Sequence, residues 1–330
     1  SLTAVYQYAD FSKNATGEEG KGSVATDIGF NFHPTDRDQI QLTLSFADGN
    51  GLKKTFEDKG FLFAPNADDL EDDLKNINGR NRDYLLEAWY AHTFKGENYN
   101  LTFTLGIIDA TAYIDDNAYA NDETTQFMND VFVNNPLASL PSYDLGGVVE
   151  FTTGNASIKG LVMNSKNEEG NNYDYYSLQV GYSLETSLGK GNYRVYYWRT
   201  TEDFPTGGEN ESYLEGIGLS LDQQLGERFG TFGRFGFNTH TATGDLKTFY
   251  SGGLVVEKLP LKGQLGIGLA YSDGNKKVSG LKEATTAETY YKFPLWNDAE
   301  LTFDLQWDKE NFEDQTLEAT TYGVRFAVAF

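Results

Sequence analysis

Forty-nine acidic side chains, three histidines and no cysteine bound the chemistry open to this 330-residue chain. The histidines, His33, His92 and His240, sit on separate stretches without HExxH spacing, and no GxSxG elbow, P-loop or GxGxxG within a βαβ unit occurs. Absence of cysteine removes both a disulfide framework and a thiolate metal site. The acidic pairs Asp68-Asp69, Asp72-Asp73 and Asp115-Asp116 could offer oxygens to Ca²⁺, but none has the EF-hand spacing with its glycine. A solvated acidic loop is the simpler reading of each. Carboxylate pairs are so common in this acidic chain that counting neither marks nor excludes a glycosidase. Other side chains are suited to non-covalent contacts. Polar and indole side chains recur singly between apolar neighbours: Asp27, Glu87, Trp89, Glu150, Lys159, Arg194, Tyr196, Trp198, Arg234, Asn238, Asp304 and Arg325. Such groups hydrogen-bond polar solutes, offer flat aromatic faces, and release a solute as readily as they bind it. For any single one, part of a wet wall is the simpler reading.

Strands must position these residues. Alternation of period two opens the chain and recurs to its end, as in Val24-Thr26-Ile28-Phe30-Phe32, Leu101-Phe103-Leu105-Ile107, Tyr176-Leu178-Val180-Tyr182 and Val324-Phe326-Val328-Phe330. Tyr 21, Phe 23 and Gly 35 against Pro 7 suit an all-β chain with many tight turns. Sixteen such segments are legible. Their connections alternate between short turns, such as Pro34–Asp38 and 95–100, and long polar loops: Phe11–Gly22, an acidic insert at 48–82, 109–143, and stretches near 165–173, 201–212, 241–247, 273–283 and 309–316. One face of the segments is apolar and aromatic, while the other carries isolated charges that a sandwich core about 10 Å thick would not accept. Aromatic residues gather at segment ends, as at Tyr6/Tyr8, Phe30/Phe32, Tyr291/Phe293, Trp307 and Phe330, where interfacial girdles sit. No window holds the roughly 18 apolar residues of a membrane-crossing helix. The pattern predicts one domain, residues 1–330: an all-β, sixteen-stranded antiparallel transmembrane β-barrel, wide enough to hold water.

The stretch Asp109–Tyr143 breaks the rhythm. It exceeds the roughly 12–15 residues of an ordinary loop, and it is too apolar for disorder. Asp122 or Thr124 is expected to cap a helical turn carrying Phe127 and Val131, with Asn134-Asn135-Pro136 as its stop. The runs Gly106-Ile107-Ile108-Asp109, Tyr119 to Asn129 (YANDETTQFMN) and Phe132-Val133-Asn134-Asn135-Pro136 resemble the carbohydrate-selective porins of the OprB family. The terminal Val324-Phe326-Val328-Phe330 pattern is similar to the ending of bacterial outer-membrane barrels in general. The resemblance implies a sixteen-stranded channel of the bacterial outer membrane for passive diffusion of carbohydrates and other small polar solutes. It implies too that the third outside loop folds into the lumen. By strand counting, 109–143 is that third loop. Its candidate constriction residues are Asp115, Asp116, Asn121, Asp122, Glu123 and Phe127.

Charge narrows the partners. With 26 basic and 49 acidic residues the net charge is −23, which repels nucleic acid. If the excess carboxylates reach the lumen, the pore prefers cations. Expected partners are sugars and small polar solutes, with outer-membrane lipid and lipopolysaccharide outside, the latter bridged through divalent ions at the acidic loops. No resident cofactor is expected, and Ca²⁺ at those loops is the one candidate metal. Monomer and homotrimer are both compatible with the resemblance. Ser1-Leu2-Thr3-Ala4-Val5-Tyr6 already reads as strand, so the sequence is that of a mature chain without signal peptide. The competing readings are a general cation-preferring porin without sugar specificity, an outer-membrane barrel enzyme lacking a recognisable nucleophile, and a soluble carbohydrate-binding β-protein.

Overall fold

Strands β1 (Leu2–Lys13), β2 (Gly17–Thr35), β3 (Asp38–Asp48), β4 (Leu85–Lys95) and β5 (Tyr99–Ile108) form the first third of a closed wall. It continues through β6 (Asp144–Thr153), β7 (Ala156–Lys166), β8 (Asn172–Thr186), β9 (Gly189–Thr200), β10 (Glu215–Leu225) and β11 (Phe229–Asn238). The remaining strands are β12 (Leu246–Leu259), β13 (Gly263–Gly274), β14 (Leu281–Trp296), β15 (Ala299–Phe312) and β16 (Thr316–Val328). The computed structural model describes residues 1–66, 74–167, 170–201, 204 and 212–330. Each strand pairs antiparallel with its sequence neighbours, and β1 closes the ring on β16 from Leu2↔Val328 to Lys13↔Leu317. Closure leaves no strand edge unpaired, the condition for crossing lipid with strands.

The alternation decides which side faces out. Phe30, Phe32, Leu105, Leu145, Val180, Tyr182 and Phe303 are exposed on the outer surface. At the short-turn end their aromatic members adjoin: the rings of Phe30 and Phe32 lie 6.5 Å apart, and those of Phe293 and Phe303 6.3 Å. The apolar face therefore meets the surroundings instead of a core, as a lipid-facing wall requires.

Strand boundaries depart from expectation at the long-loop end. The connection expected over Phe11–Gly22 shrinks to Asn14-Ala15-Thr16, because Gly17–Gly22 pairs with Phe11–Tyr6. Charge and glycine in GEEGKG suggested a loop, but backbone pairing is indifferent to side-chain polarity where both faces meet water. Tyr8 Oη donates to Glu18 Oε2 at 2.5 Å across this extension. Similarly, 309–316 reduces to Glu313-Asp314-Gln315.

The core lies inside the barrel. The loop 109–143, hereafter L3, packs Ile114, Phe127, Val131, Phe132 and Leu137 against inward residues Tyr175, Trp198, Phe232, Phe249 and Tyr290. Phe127 stands at the centre, 5.0 Å from Phe132, 5.4 Å from Phe232 and 5.0 Å from Tyr290, ring to ring. A second cluster joins Leu52, Phe56, Phe61 and Ala64 of the loop 49–84 (L2) to Ala9, Phe11, Leu317 and Ala319. L2 was expected as an outer acidic insert. Its described residues 50–64 instead turn inward, carrying helix α1 (Lys53–Asp58), and bury Phe56, Phe61 and Phe63 in the two clusters.

Candidate functional site

L3 is built from short capped pieces. Asp109 closes its base: Thr111 N and Ser142 Oγ both donate to Asp109 Oδ1 at 2.9 Å. The helix is α2 (Asp130–Val133), capped by Asn129, whose side chain accepts from Val131 N. Asp122 caps a separate turn, accepting from Thr124 N at 2.8 Å. The expected helix from Asp122 or Thr124 across Phe127 and Val131 is thus corrected. Met128 and Asn129 use their N–H groups on the barrel wall, which interrupts helical pairing between the two rings.

Three arginines from the wall hold L3. Arg234 on β11 is fully buried and reaches three separated points. Its Nε lies 3.0 Å from Asp115 Oδ2, Nη1 donates to Phe132 O at 2.7 Å, and Nη2 donates to Asp115 O and Asn121 Oδ1 at 3.1 Å. Asp115 also accepts from Tyr196 Oη at 2.8 Å and from Asn135 N at 2.7 Å, on a left-handed backbone at φ 65°. Burial pushes the Asp115 carboxyl up, and the adjacent Arg234 charge is the main force pulling it back down. Arg194 on β9 pairs with Asp116 at 3.0 Å and with Asp222 at 2.7 Å. Arg325 on β16 donates from Nη1 to Glu123 O and to Gln126 O, and Lys292 donates to Thr125 O at 2.8 Å. Since Arg325 stands near the end of β16, L3 dips almost to the short-turn rim.

These contacts divide the expected pore residues. Tyr196, Trp198, Arg234, Asp304 and Arg325 face inward but are buried under L3 or against its neighbours, and Arg194 is nearly so. Tyr196, Arg194, Arg234 and Arg325 bond to L3, Trp198 packs in the same core cluster, and Asp304 accepts from Gln306 Nε2 at 2.8 Å. Asn238 also leaves the list: its Nδ2 donates to Thr243 O at 2.8 Å and Leu246 O at 3.2 Å, holding the β11–β12 loop. Within L3, Asp115 and Phe127 are buried, while Asn121 and Asp122 hold the loop to the wall or to itself. Asp116 and Glu123 stay half-exposed. Asp115 and Asp116 are each paired with an arginine, Arg234 and Arg194. Asp68, Asp69, Asp72 and Asp73 lie outside the described residues.

The opposite wall is only partly covered, with Trp89 packed at the edge of the L3 cluster. Asn31 Nδ2 donates to Gln41 Oε1, Gln41 Nε2 to Thr43 Oγ1, and Thr43 Oγ1 to Glu87 Oε2, each at 3.0 Å. The Trp89 indole N–H completes the ladder on Glu87 Oε1 at 3.3 Å. Beside it, Lys159 faces Glu150 at 3.6 Å, and Asp27 accepts from Ser1 Oγ at 3.2 Å near the short-turn end. Tyr113 of L3 faces this wall. Its phenol is pushed up to about 12 by burial, with Glu87, Glu150 and Asp109 adding, so it remains a neutral hydrogen-bonding group.

Sequence reasoning missed Asn31, Gln41 and Thr43, ordinary polar residues without charge to mark them, and it missed the inward turn of L2. One signal was available. On the inward face of β11 and β13, a Cβ at Gly230 would stand 2.2 Å from the Tyr119 ring, and one at Gly268 2.8 Å from Phe132. Glycine at inward positions marks where a second backbone layer presses on the wall.

A closed sixteen-stranded antiparallel barrel with a long third loop tied into its lumen is a porin-type barrel. The chain belongs to one family with an uncharacterised protein of Aquifex aeolicus (strain VF5), 36% identical over 307 residues, which cover 92% of this chain and 86% of that one. It is also similar to Porin AaxA of Chlamydia abortus, 27% identical over 209 residues. That match spans 58% of this chain but only about half, 46%, of the Chlamydia porin. In fold the chain is of the OprB type. It superposes on the high-pH structure of Pseudomonas putida OprB with a TM-score of 0.74 at 15% identity, covering 100% of this chain and 93% of that one. The outer membrane channel DcaP of Acinetobacter baumannii follows at a TM-score of 0.55 and 9% identity, covering 100% and 96%. No family model matches the sequence.

Proposed function

We propose that this barrel sits in the bacterial outer membrane and passes sugars and other small polar solutes by diffusion, without a covalent step. The observation that carries the reading is the ladder Asn31–Gln41–Thr43–Glu87–Trp89, which keeps partial exposure to the lumen with Trp89 at the edge of the L3 cluster. A sugar needs hydroxyl partners that exchange quickly and one flat aromatic surface. Linked amide, hydroxyl and carboxylate groups supply the first, each already polarised by its neighbour, and the Trp89 indole supplies the second. The outer-membrane placement rests on the apolar outer face and on the likeness in fold to the outer membrane channel DcaP.

Reconstitution into planar bilayers tests this directly. Added mono- and disaccharides should reduce the single-channel current in a concentration-dependent way. Trp89→Ala should weaken that block by about 5- to 10-fold in apparent affinity, the worth of one aromatic contact of roughly 1–1.5 kcal/mol. Conductance untouched by any sugar would remove the sugar assignment and leave a general porin.

Cation preference is supported by a separate observation. Arg194 and Arg234 are paired with carboxylates and Arg325 is buried on L3 carbonyls, while Glu87 and, beside Lys159, Glu150 keep partial exposure on the lumen wall. The remaining field favours cations.

A further inference from the structure

L3 and L2 are held from β14 and β15 by carboxylates, in contrast to the arginines of β9, β11 and β16. Glu288 accepts one backbone N–H on each oxygen, from Met128 at 2.6 Å and Asn129 at 2.9 Å. Glu310 does the same for L2, accepting from Leu62 N and Phe63 N, both at 2.9 Å. Between them Asp308 accepts from Asn129 Nδ2 at 3.1 Å and Thr286 Oγ1 at 2.8 Å. The two loops are joined where Pro65 bridges Asn129 and Asn66 N donates to Met128 O at 2.7 Å. One carboxylate row therefore carries both loops at their point of contact.

This row has little positive charge to balance it. Facing Glu288 are Asp304 of β15, within hydrogen-bonding reach, Arg325 of β16 and Tyr290 of its own strand. Asp308 faces Asp304 and Asp130 of L3, and Glu310 faces Asp308. The Arg325 guanidinium donates to L3 carbonyls and to Thr302 Oγ1. An arginine anchor donates at any pH. A carboxylate clamp on two N–H groups accepts fully only when ionised, since protonation turns one acceptor oxygen into a donor pointed at an N–H.

We propose that Glu288 and Glu310 are positioning residues that hold L3 and L2 against the β14–β15 wall and make the bore acid-responsive. Protonation of either releases its loop segment and widens the path. The proposal rests on the channel reading above.

Single-channel conductance in about 1 M KCl tests it, because the Debye length there is about 3 Å and titration of the lining charges is screened. From about pH 10 to about pH 4, a window wide enough for buried as well as exposed carboxyls, wild-type conductance should rise by at least about 1.5-fold, with added open-channel noise. E288Q and E310Q place an amide donor on the clamped N–H, so each should conduct more at about pH 10 and respond less to acid. The double variant should be flat. E288D keeps the charge and should keep the acid step. If E288Q does not assemble into a barrel with heat-shifted gel mobility, E310Q carries the same comparison at the other clamp. A flat wild-type profile, or Gln variants that retain the full step, would overturn the latch while leaving the channel intact. No conductance from wild type would overturn the channel reading and the latch with it.

Discussion

At the residue scale, Arg234 and Asp115 show how a buried ion pair is tolerated inside a wet barrel. Both side chains are fully buried at 3.0 Å, and their remaining donors and acceptors go to Phe132 O, Asn121, Tyr196 and Asn135. Removing one partner leaves the other charge stranded, at a cost of about 3–5 kcal/mol. Arg234→Met should therefore detach the Asp115–Phe132 part of L3. The measurement is single-channel conductance, expected to rise, with D115N/R234M nearer wild type; an unchanged R234M channel would contradict the anchor role. A second expectation concerns Glu87 and Glu150. E87Q/E150Q should move the reversal potential in a salt gradient toward that of a non-selective pore, most clearly at low salt, where the Debye length is about 10 Å or more. A shift toward stronger cation preference would place the selective charges elsewhere. Arg234 was legible as an inward residue from its place between Phe235 and Gly233. Its task was not, because alternation reports the side of a wall and not what covers that side.

At the element scale, L2 and L3 behave as one inserted layer. Phe56 lies 5.1 Å from Phe11 and 4.8 Å from Phe61, and all three are buried. Phe56→Ala removes the centre of that cluster, at about 3–5 kcal/mol of docking energy. The strand ladder does not depend on Phe56, so the loss should appear locally: faster protease cleavage within residues 49–66 of the folded barrel, with the heat-dependent gel shift retained. Loss of the gel shift itself would mean that L2 helps to close the barrel. L3 as an element was visible in the sequence from length, apolarity and its rank among the connections. The position of its helix was not. Asp122 and Asn129 are equally good caps by residue type, and the choice fell to Glu288, which takes the N–H groups of Met128 and Asn129. The described inward half of L2 was hidden by the acidic run that follows it.

At the scale of the whole molecule, sixteen strands closing β1 on β16 make a cooperative hydrogen-bonded ring with no free edge. In detergent the folded chain should run differently on a gel before and after boiling, and identical mobility would contradict an intact barrel in solution. By itself the sequence determined the all-β class, the strand number and which face of each strand meets lipid. Period-two alternation is a local property, and a one-residue slip would turn every apolar side chain into the lumen. It also placed L3 third among the long connections. Only the tertiary structure decided which inward residues stay wet. Asn31, Gln41, Thr43 and Glu87 keep exposure to the lumen and Trp89 keeps part of its surface there, whereas Tyr196, Trp198, Arg234 and Arg325 are buried with L3. That division depends on contacts between residues as far apart as Glu123 and Arg325 or Leu62 and Glu310. Such pairs come together only once the ring has closed and the loops have folded into it.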